Sequence, residues 1–231
     1  MLLAGTSLIL FAPHYIIPTT VQESVLIDKT DSFLVKPDAT EILALSHIQD
    51  DKFKTVRLRI QSVSNVNYNP ITSLELPAAI PLLSNPTERD TEALDFINRT
   101  KSKIDSINTL PAGLQHSSIY LNVIGEVNKM AAIEGNQKIV IVYSDLLENS
   151  PLFNMYNTKQ QRLLKTNLIS VKAAFLKALK PVCLKGIQVY FIFRPRTDAE
   201  NDRFALIVNL YKTILEESGA SVFIGGNLIE K

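Results

Sequence analysis

The chain has one cysteine in 231 residues. Cys183 has no intrachain disulfide partner, and a cysteine-based zinc site is excluded. It stands between an apolar helical stretch and a strand, so it reads as a buried small hydrophobe rather than a nucleophile. A lone thiol leaves the redox compartment open. Histidine is scarce as well: His14, His47 and His116 are scattered, and only His116 falls near the residues singled out below, where it reads as a solvent-facing loop residue. Excess charge of either sign is absent, with 24 Lys and Arg against 23 Asp and Glu for a formal net charge of +1. That balance, without a long basic tract, supplies none of the positive field that nucleic-acid binding needs to neutralise phosphates. There is no Gly-x-Ser-x-Gly string, no glycine-rich phosphate loop, no internal repeat and no low-complexity segment. Beyond residue 13 no run is long and apolar enough to span a bilayer.

The composition that remains, 46% apolar and 20% charged, is that of a globular domain with ample core. Residues 1–13 have the apolar character of a signal peptide or membrane anchor, but lack a basic start and are too short to span a bilayer alone. A buried edge strand is the alternative. Export or anchoring is preferred because residues 13–20 read as a linker; without it the protein would be cytoplasmic. The expected organisation is residues 1–20 as a signal, anchor or linker and residues 21–231 as one α/β domain.

Along that domain, residues 24–27 form a short apolar run ending at an acid, which suits a buried strand. Asp38 with Glu41 predicts a capped helix carrying Ile42, Leu43, Leu45 and Ile48 inward. Residues 55–60 alternate apolar and basic, the pattern of a strand with one exposed face near a sheet edge, and residues 71–76 supply its hairpin partner. Asn85-Pro86 opens a second helix with Leu94, Ile97, Ile104 and Ile107 on one face. A third covers residues 118–132, burying Leu121, Ile124, Val127 and Met130. Residues 138–143 are apolar throughout, as in the centre of a parallel sheet. One long helix is expected over residues 159–180, a buried strand over 187–193, a helix capped by Thr197 and Glu200, and a last strand over 221–224. The alternation predicts a three-layer, Rossmann-like sheet, mainly parallel with one antiparallel edge strand and helices on both faces.

In such sheets, sites lie at the carboxyl ends of the strands. Three segments should meet there: Asp28-Lys29-Thr30-Asp31-Ser32, Ser117-Ser118, and Ser144-Asp145. They offer carboxylates and hydroxyls with no His or Cys, and all-oxygen sites suit Mg²⁺, Mn²⁺ or Ca²⁺.

On these residues and this element order the chain resembles the von Willebrand factor type A (VWA) family. That family's metal-ion-dependent adhesion site begins Asp-x-Ser-x-Ser after the first strand; here it is Asp28-x-Thr30-x-Ser32, the hydroxyl kept at Thr30. The family's next ligand, a Thr before a mid-chain helix, corresponds to Ser117 or Ser118, and its last, an Asp after the central strand, to Asp145. The resemblance covers roughly residues 24–226. It implies a divalent cation held by Asp28, Thr30, Ser32, Ser117 or Ser118, and Asp145, and completed by a carboxylate from a partner protein. That is binding without turnover, and membrane association would come only through the N-terminal segment. Three departures stand out. Leu146 occupies the place of a frequent Gly, and Asp31 adds a carboxylate. The C-terminal helix that relays ligand binding in adhesion receptors is expected to be missing, and a receptor-like switch with it.

Two rival readings use the same residues. Asp28-Lys29-Thr30 also looks like the start of the haloacid-dehalogenase-type phosphatase motif, with Asp28 as a nucleophile, Mg²⁺ as cofactor and Ser144 on the phosphate. Thr30 stands where those phosphatases carry a second Asp, and Arg194-Pro195-Arg196 where a later acidic pair is wanted. The other rival keeps the fold with no working site, Asp28 and Asp145 serving as loop anchors. Arg194 and Arg196 read as a solvated pair, and Glu148, Asn149 and Ser150 as lining the loop beside Asp145.

Overall fold

The structure is a computed structural model and describes residues 18–30, 34–48, 50–63, 70–80, 85–111 and 117–228. Asp31, Ser32, His14, His116 and the apolar start of the chain lie outside the described residues.

Among the described residues, six strands form one sheet in the order β3-β2-β1-β4-β5-β6. They are β1 (Thr19–Asp28), β2 (Lys54–Val63), β3 (Ile71–Leu76), β4 (Gln137–Tyr143), β5 (Ile187–Ile192) and β6 (Ser221–Gly225). All neighbours are parallel except the β2–β3 hairpin. The expected α/β architecture is what the chain adopts: a mainly parallel, three-layer, Rossmann-like sheet with one antiparallel edge strand. On one face, α1 (Ala39–Leu45) and α2 (Pro86–Asn108) cover Val25, Ile27, Leu58, Ile60 and Ile141. On the other, α3 (Ile119–Ala132), α4 (Thr158–Thr166), α5 (Leu168–Ala178) and α6 (Asp198–Glu217) enclose Leu26, Val140, Val142, Val189 and Phe191. Alternate residues of each central strand feed opposite cores, which is why β4 is apolar throughout. No helix among the described residues is long and apolar enough to cross a membrane.

Several expectations are corrected. β1 is ten residues long rather than four, because its first half is polar yet buried: Gln22, Glu23 and Ser24 are all inside. Gln22 and Ser24 are held by tertiary partners, the Gln22 amide donating to the Glu134 carbonyl at 2.8 Å. The Ser24 hydroxyl donates to Glu126 on α3 at 2.8 Å, and Arg59 on β2 pairs with the same carboxylate at 2.8 Å. The long helix over 159–180 is two helices, because Asn167 turns the chain with φ −146° and its side chain accepts from the Ser170 N–H to start α5. Leu94, Leu121 and Leu163 are exposed: α2 buries the row Phe96, Thr100 and Ile104 instead, and α3 buries Tyr120, Val123 and Ile124. Cys183 is exposed, since Leu184 beside it is the residue that enters the core.

Candidate functional site

β1 continues to β2 on one side of the sheet, whereas β4 continues to β5 on the other. The connections diverge between β1 and β4, opening a crevice at the carboxyl ends of these two strands. Asp28 ends β1, and Ser144-Asp145 follow β4.

Asp28 is 4% exposed. Its Oδ1 accepts from the Thr30 N–H at 2.8 Å and the Thr30 hydroxyl at 2.7 Å, while Oδ2 accepts from the Ser144 hydroxyl at 2.6 Å. One carboxylate thus joins two of the three segments. A hydroxyl that donates its proton to a carboxylate keeps its lone pairs for other acids, including a cation. The Thr30 hydroxyl is in that state, whereas Ser144 Oγ also accepts from the Leu146 N–H at 2.9 Å.

The third segment is stitched to the loop after β4. Ser117 and Asn149 exchange both backbone hydrogen bonds, at 3.2 and 3.0 Å, and the Ser117 hydroxyl donates to the Leu147 carbonyl at 3.2 Å. Ser118 holds the N-cap position of α3 but makes no capping bond, and its buried hydroxyl has no hydrogen-bond partner among the described residues. The capping role has passed to Glu148, fully buried, whose Oε2 accepts from the Tyr120 N–H at 2.9 Å. Burial pushes the Glu148 carboxyl up to about 7; hydrogen bonds from Ser150 and from the Tyr120 and Ile119 amides oppose that, and the nearby Asp28 charge adds to it. Sequence reasoning gave Glu148 only a place beside the loop, and Ser144 a place in the third converging segment and, in the phosphatase reading, on the phosphate, but not the bridge to Asp28. Ser144 was readable as the residue at the strand end, but Glu148 serves a helix start 28 positions away, for which no local signal exists.

Asp145 Oδ1 accepts from the Leu147 N–H at 2.9 Å, an Asx turn that carries Leu146 into the left-handed region at φ 58°. The position where Leu replaces the resembled family's frequent Gly is therefore one where glycine would be unstrained. Asp145 lines a cleft of about 120 Å³ with Leu34, Phe193, Arg196 and Arg203. Arg196 is ion-paired with Glu200 across 2.5 Å. Lys29 turns to the C-terminal end of α2, its ammonium 3.5 Å from the Asn108 carbonyl, and burial followed by Lys36 lowers its pKa.

The structure thus links Asp28, Thr30 and Ser144 directly, and places Ser117 against the loop that carries Asp145. Among the described residues no three His, Cys, Asp or Glu side chains group as metal ligands. The donor set fits a hard divalent cation in chemistry: carboxylate oxygen, a Thr30 hydroxyl with lone pairs to give, and the unpartnered Ser118 hydroxyl.

No protein-family model and no curated protein matches this chain. Among solved structures, it is similar to a mutant of the PilB minor pilin from Streptococcus sanguinis, 10% identical over 91% of this chain and 58% of that one, with a TM-score of 0.46. The chain thus spans less than two thirds of that pilin's length.

Proposed function

We propose that this protein is a VWA-like interaction module without enzymatic turnover, which binds a partner protein through a divalent cation at the carboxyl end of its sheet. The supporting observation is the bridge Thr30–Asp28–Ser144, which draws together the strand ends on either side of the crevice. Asp28 orients hydroxyls rather than standing open. Asp28, Thr30, Asp145 and Ser117 or Ser118 would hold Mg²⁺, Mn²⁺ or Ca²⁺, with Ser32 as a further candidate. The cation's part is Lewis acidity toward a partner's carboxylate. The chain's part is to hold the hydroxyls in place and to present Arg196 and Arg203 beside Asp145, where an acidic partner would approach.

The phosphatase reading draws less support. A carboxylate nucleophile needs an oxygen open to in-line attack, yet both Asp28 oxygens accept hydrogen bonds and the group is nearly covered.

Calorimetric titration of Mg²⁺ and Mn²⁺ into the wild type and Asp28→Ala is the decisive experiment. Binding by the wild type that the variant loses is expected; equal weak binding by both would sink the proposal and leave a scaffold without a cation site. Turnover on a phosphatase substrate panel that Asp28→Asn abolishes would favour the enzyme instead.

A further inference from the structure

The two edges of the sheet are built differently. β3 is bracketed by Pro70 and Pro77 and carries Glu75, which is ion-paired with Arg57 on β2. Prolines and charges are the usual guards against strand addition. β6, Ser221-Val222-Phe223-Ile224-Gly225, has no charge and no proline. Phe223 and Ile224 are 43% and 41% exposed. Among the described residues β6 pairs with β5 alone.

The direction of its backbone groups follows from one bond. The Phe193 N–H donates to the Gly225 carbonyl at 3.0 Å, so Gly225, and with it Phe223 and Ser221, turn their N–H and C=O toward β5. Val222 and Ile224 turn theirs outward.

We infer that β6 pairs with β6 of a second copy of this chain, antiparallel and centred on Phe223. In that register Val222 faces Ile224 of the second copy as a hydrogen-bonded pair, which uses every outward N–H and C=O of both residues. Phe223 faces its own counterpart as a non-hydrogen-bonded pair, the closer kind. The register keeps like faces together: Val222 and Ile224 lie on the α6 side, Phe223 on the side of α1 and α2. Tyr190 on β5 already stacks on Phe223, with ring centroids 4.7 Å apart and planes at 17°. Pairing therefore builds a four-ring stripe, Tyr190–Phe223 from each copy, across the joint. Cross-strand aromatic pairs stabilise sheets, and an uncharged strand laid against itself opposes no like charges. A two-fold axis makes the patch its own complement and closes the assembly at two copies.

Sedimentation of the full chain over a range of concentrations tests association. Ile224→Pro removes an outward N–H and leaves the β5 ladder intact, so it should keep the melting transition while weakening association by about tenfold or more. Register is tested with single cysteines in a Cys183→Ser background. Copper phenanthroline with oxygen takes the two electrons and two protons as a pair of thiols becomes a disulfide. Phe223→Cys is expected to cross-link to dimer on a non-reducing gel, and Ile224→Cys, which faces Val222, to stay single. A monomer at every concentration, or cross-linking at 224 as ready as at 223, overturns the inference. If Ile224→Pro fails to fold, the cysteine pair decides alone.

Discussion

Glu23 lies inside the sheet with both carboxyl oxygens buried and, among the described residues, without a hydrogen-bond partner. Burial pushes its pKa up to about 8. The folded state therefore holds a proton that the unfolded chain releases near the ordinary carboxyl value of 4.5. Stability from this group is full below that value and declines as pH rises toward about 8, by on the order of 3–5 kcal/mol in all. Glu23→Gln should flatten the decline, which urea unfolding at about pH 5 and about pH 8 would show; an unchanged slope in the variant would place the pH dependence elsewhere. Leu146 sets two effects against each other. Its left-handed φ of 58° costs about 1–2 kcal/mol relative to glycine, while its side chain is fully buried in the α3–α6 core. Removing a buried leucine side chain costs about 2–5 kcal/mol. Leu146→Gly should therefore lose roughly 1–3 kcal/mol net, despite relieving the backbone; a rise in the midpoint of denaturant unfolding would contradict this balance.

At the scale of elements, Asn167 decides where α4 ends and α5 begins. Its amide N–H closes α4 on the Leu163 carbonyl at 2.8 Å, and its side chain caps α5. Asn167→Ala should cost about 1 kcal/mol, seen as a lower melting temperature, while Asn167→Asp should keep the cap. This joint also shows what was legible in the sequence. Leu163, Leu164, Leu168, Val171 and Phe175 keep a helical rhythm straight through Asn167, so spacing alone reports one helix. The break depends on the local geometry of a single cap. β1 failed in the opposite way: its buried Gln22, Glu23 and Ser24 carry no apolar signal, and only Glu126 and Arg59, far along the chain, accommodate Ser24 inside. The strongly patterned elements were readable, including β4, the β2–β3 hairpin and the capped starts of α1, α2 and α6. At the site, Asp28 and Asp145 were legible because each follows an apolar strand. Ser144 as the bridging hydroxyl and Glu148 as the α3 cap were not, since both roles are defined by partners across the fold.

At the scale of the molecule, a cation that binds only the folded state would stabilise the whole domain by mass action. At a hundredfold excess over its dissociation constant the gain is about 2.7 kcal/mol. Melting temperature should then rise with Mn²⁺ in the wild type and stay fixed in Asp28→Ala; equal rises in both would point to a cation bound elsewhere. The core beneath the site offers its own way to follow such changes. Tyr120 packs edge-on against Phe175 and Tyr211, with centroids 4.7 and 5.7 Å apart, and its hydroxyl donates to the Leu179 carbonyl. Burial raises the pKa of Tyr120, Tyr143 and Tyr211 well above the usual phenol value. Since the chain has no tryptophan among its 231 residues, its near-ultraviolet absorption and emission belong chiefly to its seven tyrosines. In an alkaline spectrophotometric titration the exposed phenols should ionise smoothly, and these three only as the domain opens. The protein thus carries, in buried tyrosines on both faces of its sheet, an optical gauge of its own integrity that needs no added dye.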